Sequence, residues 1–195
     1  MNRRDILKFS GSAMLNGALV AAGVTAALMP ANATPGQEPT TPTTLQSSNA
    51  RALAFVNTHT NERFNDTYWS AGTYVPEALA AINTVMRDHR TGEVYAMDPN
   101  LLDLLHRLHG LVDASAPFQI ISAYRSPASN ATLASRSNGV ATRSLHMQGK
   151  AIDIRIAGIE LTRLRDTAIS MRAGGVGYYE ASNFIHVDTG RVRRW

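Results

Sequence analysis

Two stretches carry side chains suited to chemistry: SLHMQGKAIDIRI, residues 144–156, and FIHVD, residues 184–188. In the first, His146 and Asp153 stand seven positions apart across Gly149, and Asp153 interrupts an apolar run. Along a strand, side chains alternate between the two faces. Ile152, Ile154 and Ile156 therefore share one face, and Ala151, Asp153 and Arg155 the other. The same rule groups Phe184, His186 and Asp188, with Ile185 and Val187 behind them. Asp153 is expected to point away from the isoleucine core, on a polar face that a second strand extends with His186. Two imidazoles and one carboxylate suit a catalytic zinc ion with one position left for water. The chain has no cysteine, so thiolate sites and disulfides are excluded and any metal must be held by His, Asp or Glu. A histidine near a strand also serves as an ordinary hydrogen-bonded structural residue, and a short His–Asp spacing matches by chance often. His146, Gly149, Ala151 and Asp153 together with His186 make a more specific pattern than that spacing alone.

Other side chains make weaker cases. His106 and His109 are three apart on a leucine-rich segment and border its apolar face, as boundary histidines do. His59, in the turn NTHT, reads as structural or as a cleft-lining residue. Ser144 and His146 do not make a convincing nucleophile pair at that spacing. Gly174-Gly175-x-Gly177 follows a helical segment instead of opening one, so it is no phosphate loop. Tyr124, Tyr178 and Tyr179 are able to hydrogen-bond a substrate, with core packing as the default. The helical HExxH pattern of commoner zinc peptidases is absent.

The elements that must position these residues are legible in part. LAFVN (53–57) and DTYW (66–69) flank a polar turn and read as a hairpin. Pro76 opens a helix carrying Leu79, Ile82, Val85 and Met86 on one side. Asp98 as N-cap and Pro99 at the first helical position start the leucine-faced helix LLDLLHRLHGL. PFQIISAYR (117–125) reads as a strand followed by a long polar loop, 126–143. After the strand at 151–156, Leu161, Leu164, Ala168 and Met171 mark another amphipathic helix, closed by Gly174-Gly175. GVGYY and NFIHVDTG then form a strand pair. Mixed element order with short strands predicts an α+β fold with a mainly antiparallel sheet flanked by helices.

The 195-residue chain is long enough for one ordinary domain. Its start, MNRRDILKFSGSAMLNGALVAAGVTAALMPANA, sets Arg3-Arg4 before a mildly apolar stretch that ends in Ala31-Asn32-Ala33. Residues 1–33 read as a twin-arginine export signal, which implies a periplasmic protein with no stable membrane insertion after cleavage. Asn16, Gly17, Gly23, Thr25 and Pro30 argue against an anchor. Residues 34–50, rich in Thr, Pro and Ser, read as a flexible linker, and the folded domain spans 51–195. Removing the signal leaves 16 basic and 14 acidic residues, a net charge of +2, too weak a field to argue for nucleic acid. Seventeen of the nineteen basic residues are arginine, the side chain suited to carboxylates.

S-x-H-x-x-G-x-A-x-D, then G-V-G-Y-Y and H-V-D-T-G, resembles the M15-type zinc peptidases. That group includes D-Ala-D-Ala carboxypeptidases and dipeptidases, murein endopeptidases and the hedgehog signalling domain. The likeness is to the murein endopeptidase K branch and runs from NTHT through YVPEAL, RDHRTGE, DPNLLDLL, ISAYRS and SMRAGGVGYY to the last tryptophan. It implies a hedgehog/D-Ala-D-Ala peptidase-like fold and one zinc ion per chain, with His146, Asp153 and His186 as ligands. Arg125 then matches the arginine that faces the substrate carbonyl or carboxylate. Several branches place a catalytic glutamate three residues before the second histidine, where this chain has Asn183. Asp188 is the preferred base or partner of a ligand, and Glu180, at a hedgehog-like spacing, the other carboxylate to consider. The function implied is hydrolysis of peptide cross-links in peptidoglycan, with stem peptides as partners. A D,D-dipeptidase or carboxypeptidase on free stem peptides, or a non-catalytic zinc-stabilised wall-binding domain, are the competing readings.

Overall fold

In the computed structural model, residues 50–136 and 141–195 are described. The expected export signal and all of the expected linker except Ala50 lie outside them. Strands β1 (Arg51–Asn57) and β2 (Arg63–Ser70) form the expected antiparallel hairpin, extended by the short β3 (Thr73–Tyr74). Helix α1 (Pro76–Val85) starts at its proline, and α2 (Pro99–Leu111) is capped by Asp98, whose carboxylate accepts from the Asn100 amide at 3.0 Å. β4 (Phe118–Ser122), α3 (Pro127–Arg136), β5 (Ala151–Ile156), α4 (Leu161–Ser170), β6 (Gly175–Tyr179), β7 (Phe184–Asp188) and β8 (Arg193–Arg194) complete the α+β domain. No helix among the described residues is long and apolar enough to cross a membrane.

All eight strands join one sheet in the order β3-β2-β1-β4-β5-β7-β6-β8. It is mixed, which corrects the expectation of a mainly antiparallel sheet: β1 pairs with β4 and β6 with β8 in parallel. A parallel neighbour needs a crossover connection, and the segment bearing α1 and α2 supplies it between β1 and β4. No local alternation reports that return. The isoleucines of β5, with Phe55, Phe118 and Ile120, are buried in one core with Leu101, Leu102, Leu105 and Leu108 of α2 and Leu164 of α4. The opposite face of β5 and β7 is left for polar side chains.

The second departure is α3, where a loop is expected. Ser126 caps it, its hydroxyl accepting from the Ser129 amide at 3.2 Å, and Pro127 takes the first helical position. Its buried residues are Ser129 and Asn130, so the helix has no apolar stripe to announce it.

Candidate metal centre and active-site cleft

Strand register brings the first two ligand candidates together. β5 and β7 are antiparallel with Asp153 opposite His186 and Ala151 opposite Asp188. Side chains directly opposite across such a pair are immediate neighbours, and His186 Nδ1 lies 2.9 Å from Asp153 Oδ1. His146 arrives from a 3-10 turn, Leu145–Gln148, capped by the Ser144 hydroxyl and closed by Gly149 at φ 66°. Any other residue at position 149 would be strained by that φ and would drive its Cβ into the Ala96 carbonyl oxygen. The turn sets His146 Nε2 3.2 Å from His186 Nδ1 and 3.3 Å from Asp153 Oδ1.

The outer nitrogens determine what this triangle is. His146 Nδ1 meets the Ala123 carbonyl oxygen at 2.6 Å, and His186 Nε2 meets Asp188 Oδ2 at 2.9 Å. Both partners only accept, so each outer nitrogen carries the proton and donates. In the neutral rings the inner nitrogens then present lone pairs, and three buried acceptors converge on one point. Such a cluster calls for a cation. Without a metal, burial disfavours a charged His186, yet hydrogen bonds to Asp153 and Asp188 raise its pKa above the ordinary value. Burial would likewise raise Asp153, but the charges and hydrogen bonds of both histidines hold it well below the usual carboxylate range. The spacing also fits: a tetrahedral ion with bonds of about 2.0–2.1 Å sets its ligand atoms about 3.3 Å apart. Among the described residues no other trio of His, Asp or Glu converges in this way.

Asp188 stands behind His186. Its carboxylate is 0% exposed and accepts five hydrogen bonds: His186 Nε2, both terminal nitrogens of Arg193, and the amides of Gly175 and Gly190. Burial alone would raise its pKa, but these donors hold it well below the carboxylate range. Arg125 is reached differently. A bulge in the β4–β5 ladder at Ile121 re-aims the chain beyond β4. The Arg125 amide then bonds the His146 carbonyl at 3.2 Å, and the Ser126 amide bonds Asp88 Oδ2 at 2.9 Å. Arg125 is only 9% exposed, and burial lowers its pKa while Asp153 opposes that shift. Its Nε has no partner among the described residues, and the contacts of its terminal nitrogens to Asn130 Oδ1 (3.5 Å) and Asp153 Oδ2 (3.8 Å) are long. The Nη2 contact places this guanidinium beside the three acceptors.

These groups open into a cleft of about 460 Å³ that is also lined by Arg143, Ser144, Tyr179, Phe184 and Trp195. Asp153 is its one carboxylate among the described residues. The sequence profile described as peptidoglycan L,D-endopeptidase MepK, of the M15 peptidases, matches residues 45–195. The chain belongs to this family. Its relatives include the peptidoglycan L,D-endopeptidase MepK of Escherichia coli K12, 45% identical over 152 residues, which are 78% of this chain and 84% of that protein. The protein of the same name from Shigella flexneri matches equally, 45% over 152 residues. A probable peptidoglycan L,D-endopeptidase MepK from Haemophilus influenzae is 45% identical over 146 residues, 74% of this chain and 78% of that one.

None of the remaining candidates among the described residues joins the three converging acceptors. His106 Nδ1 bonds the Ala52 carbonyl and His109 Nε2 the Ala116 carbonyl, so the two rings serve separate structural contacts. His59 bonds the Ile121 carbonyl and stacks on His89, with centroids 3.7 Å apart. Ser144 caps the turn that carries His146. Glu180 is exposed and does not line the cleft. A larger hollow of about 740 Å³ beside α2 includes Arg51, Asp98, Asp103 and His106. Asp103 there is already engaged by Arg51, Tyr68 and Tyr74, so that hollow offers no comparable chemistry.

Sequence reasoning passes over Asp88 and Arg193. Asp88 is buried and joins the Arg90 and Ser126 amides, which ties the RDHRTGE turn to the segment bearing Arg125. The only local signal is an Asp whose carboxylate reaches the amide two residues on, as in an Asx turn. Arg193 forks onto Asp188 at 2.7 and 3.0 Å, and nothing local announces it.

Proposed function

We propose that this M15 peptidase is a zinc-dependent murein endopeptidase with one Zn2+ per chain, held by His146, Asp153 and His186, and that it hydrolyses peptide cross-links of peptidoglycan. The observation that carries the reading is the convergence of three buried acceptor atoms beside the Arg125 guanidinium, in the lining of an open cleft. The relatives' names point to a bond between an L- and a D-residue as the one cleaved. A hedgehog/D-Ala-D-Ala peptidase-like architecture belongs to the same reading. So does export by the twin-arginine route to the periplasm, which Arg3-Arg4 and Ala31-Asn32-Ala33 support. Lysine at both arginines is expected to leave the precursor in the cytoplasm on fractionation; normal delivery would remove that address.

When bound, zinc supplies a Lewis acid that polarises a carbonyl and lowers the pKa of water toward about 7. His146 and His186 contribute by holding their outer protons on Ala123 and Asp188, which keeps the inner lone pairs aimed at one point. Asp188 acts as a positioning residue, a role its five hydrogen bonds support, and so takes the second of the two roles expected for it. Arg125 binds the carbonyl oxygen or a stem-peptide carboxylate through its terminal nitrogens, whose contacts to Asn130 and Asp153 are long.

Digestion of purified sacculi followed by muropeptide analysis tests the proposal. Zinc-loaded protein should release fragments in which cross-linking peptides have been cut, and chelation should stop release until zinc is restored. Cleavage confined to free dipeptides or terminal D-residues would favour the carboxypeptidase reading. Binding to sacculi with no new fragment would favour a wall-binding domain.

A further inference from the structure

One wall of the cleft is aromatic, and its chemistry is set by a hydrogen bond whose direction is unambiguous. Tyr179 ends β6 opposite Phe184, two residues beyond Gly177, which faces His186. Tyr179 therefore shares the sheet face of the proposed metal ligands. Its ring stacks on Phe184, with centroids 4.6 Å apart. Trp195 is held by backbone bonds to β6, its amide to Val176 and its carbonyl to the Tyr178 amide. Its indole lies over Gly177, where an added Cβ would meet ring atoms at 2.7–2.9 Å and push the ring aside. From that seat Trp195 Nε1 reaches the Tyr179 hydroxyl at 2.9 Å.

An indole N–H only donates. The Tyr179 oxygen must accept, so the phenolic proton is left to go elsewhere. No acceptor among the described residues takes it, and Tyr179 lines the cleft. Asp153, the one side-chain carboxylate among the described residues lining the cleft, is already committed to the two histidines. Tyr179 and Arg125 both line that cleft.

We propose that Tyr179 is a catalytic residue that donates its phenolic hydrogen to the scissile carbonyl oxygen as negative charge gathers there, and that Trp195 is the positioning residue that fixes this hydroxyl. The proposal rests on the peptidase reading given above. A donor of this kind is most valuable in the transition state, where the oxygen is charged, so its loss should appear in kcat more than in KM.

The test uses zinc-loaded protein and a soluble cross-linked muropeptide. Tyr179→Phe keeps the ring on Phe184 and removes only the hydroxyl. It should lower kcat about tenfold to thirtyfold, the scale of one hydrogen bond to a developing charge, with KM, zinc content and Tm near wild type. Trp195→Phe keeps a ring over Gly177 and removes the N–H. It should lower kcat a fewfold alone and add nothing in the Tyr179→Phe background, since it acts through that hydroxyl. Wild-type kcat in Tyr179→Phe, with wild-type protein active, would overturn the proposal and leave the peptidase reading standing. So would equal Trp195→Phe losses in both backgrounds for the positioning role. A zinc-loaded wild-type protein that cuts no cross-link would overturn both.

Discussion

Alanine at His146 or at His186 is expected to abolish tight zinc binding and to reduce peptidase turnover to background. Each ring supplies one of the three proposed ligand atoms, which stand 2.9–3.3 Å apart, and among the described residues no other His, Asp or Glu joins them. Asp153→Ala should behave the same way. In every case zinc content by mass spectrometry should fall in step with activity. Thermal scans add a check that does not depend on turnover: zinc should raise the Tm of wild type and leave that of the variants unmoved, because only a bound ligand shifts the folding equilibrium. His106→Ala removes a contact to the Ala52 carbonyl on another part of the domain and should retain full zinc content. Zinc release on acidification has a definite sign. The pKa of His186 in the metal-free site is raised, so protons begin to compete at a pH above the ordinary imidazole value, and affinity falls as pH drops through it. Full zinc occupancy in a His146→Ala, His186→Ala double variant would place the metal elsewhere.

Asp188→Asn should lower zinc affinity by roughly ten- to a hundredfold, with turnover falling about a hundredfold alongside it. The reason is the composition of the shell: all five partners of this carboxylate are donors. Whichever oxygen becomes an amide nitrogen, its hydrogens face groups that also donate. His186 then loses the acceptor that keeps its proton on Nε2, and its ring is free to turn or change tautomer. Arg193 loses its buried counter-charge as well. The folded protein should lose about 2–4 kcal/mol in urea unfolding, within the range for breaking such a pair. Affinity and turnover measured on one preparation separate the roles. Unchanged zinc affinity with turnover cut a hundredfold would make Asp188 the general base, and wild-type values for both would remove it from the site. Glu180→Gln should be silent, because Glu180 is exposed and does not line the cleft. Lost turnover in that variant would restore the hedgehog-like assignment.

Much of the site is legible because strand periodicity is a local property. Ile152, Ile154 and Ile156 must face the core, and a period of two then leaves Asp153 no choice of side; the same holds for His186 between Ile185 and Val187. Helix starts at Pro76 and Pro99 are local too, set by proline at the first helical position and, for the second, by the Asp98 cap. The α3 helix is missed for a related reason. Its signals, Ser126 and Pro127, are present, but its buried face is made of Ser129 and Asn130, so apolar spacing is silent.

What the residue order determined by itself is the set of side chains available and the sheet face each one occupies, since both follow from composition and from alternation over a few residues. Tertiary structure alone decided their mutual geometry. The register that sets Asp153 opposite His186 joins residues 33 apart in the chain, and the bond from His146 to the Ala123 carbonyl spans 23. The parallel pairing of β1 with β4 depends on a crossover through two helices. The donor shell of Asp188 depends on a glycine before β6 is complete and an arginine on the last strand. Contacts of this kind arise when distant segments pack together to bury a common core, and no local period carries a record of which distant residue will be the neighbour. The direction of the bond from Trp195 to Tyr179 belongs to the same class: indole chemistry makes it a donation, but only the fold brings the two rings together.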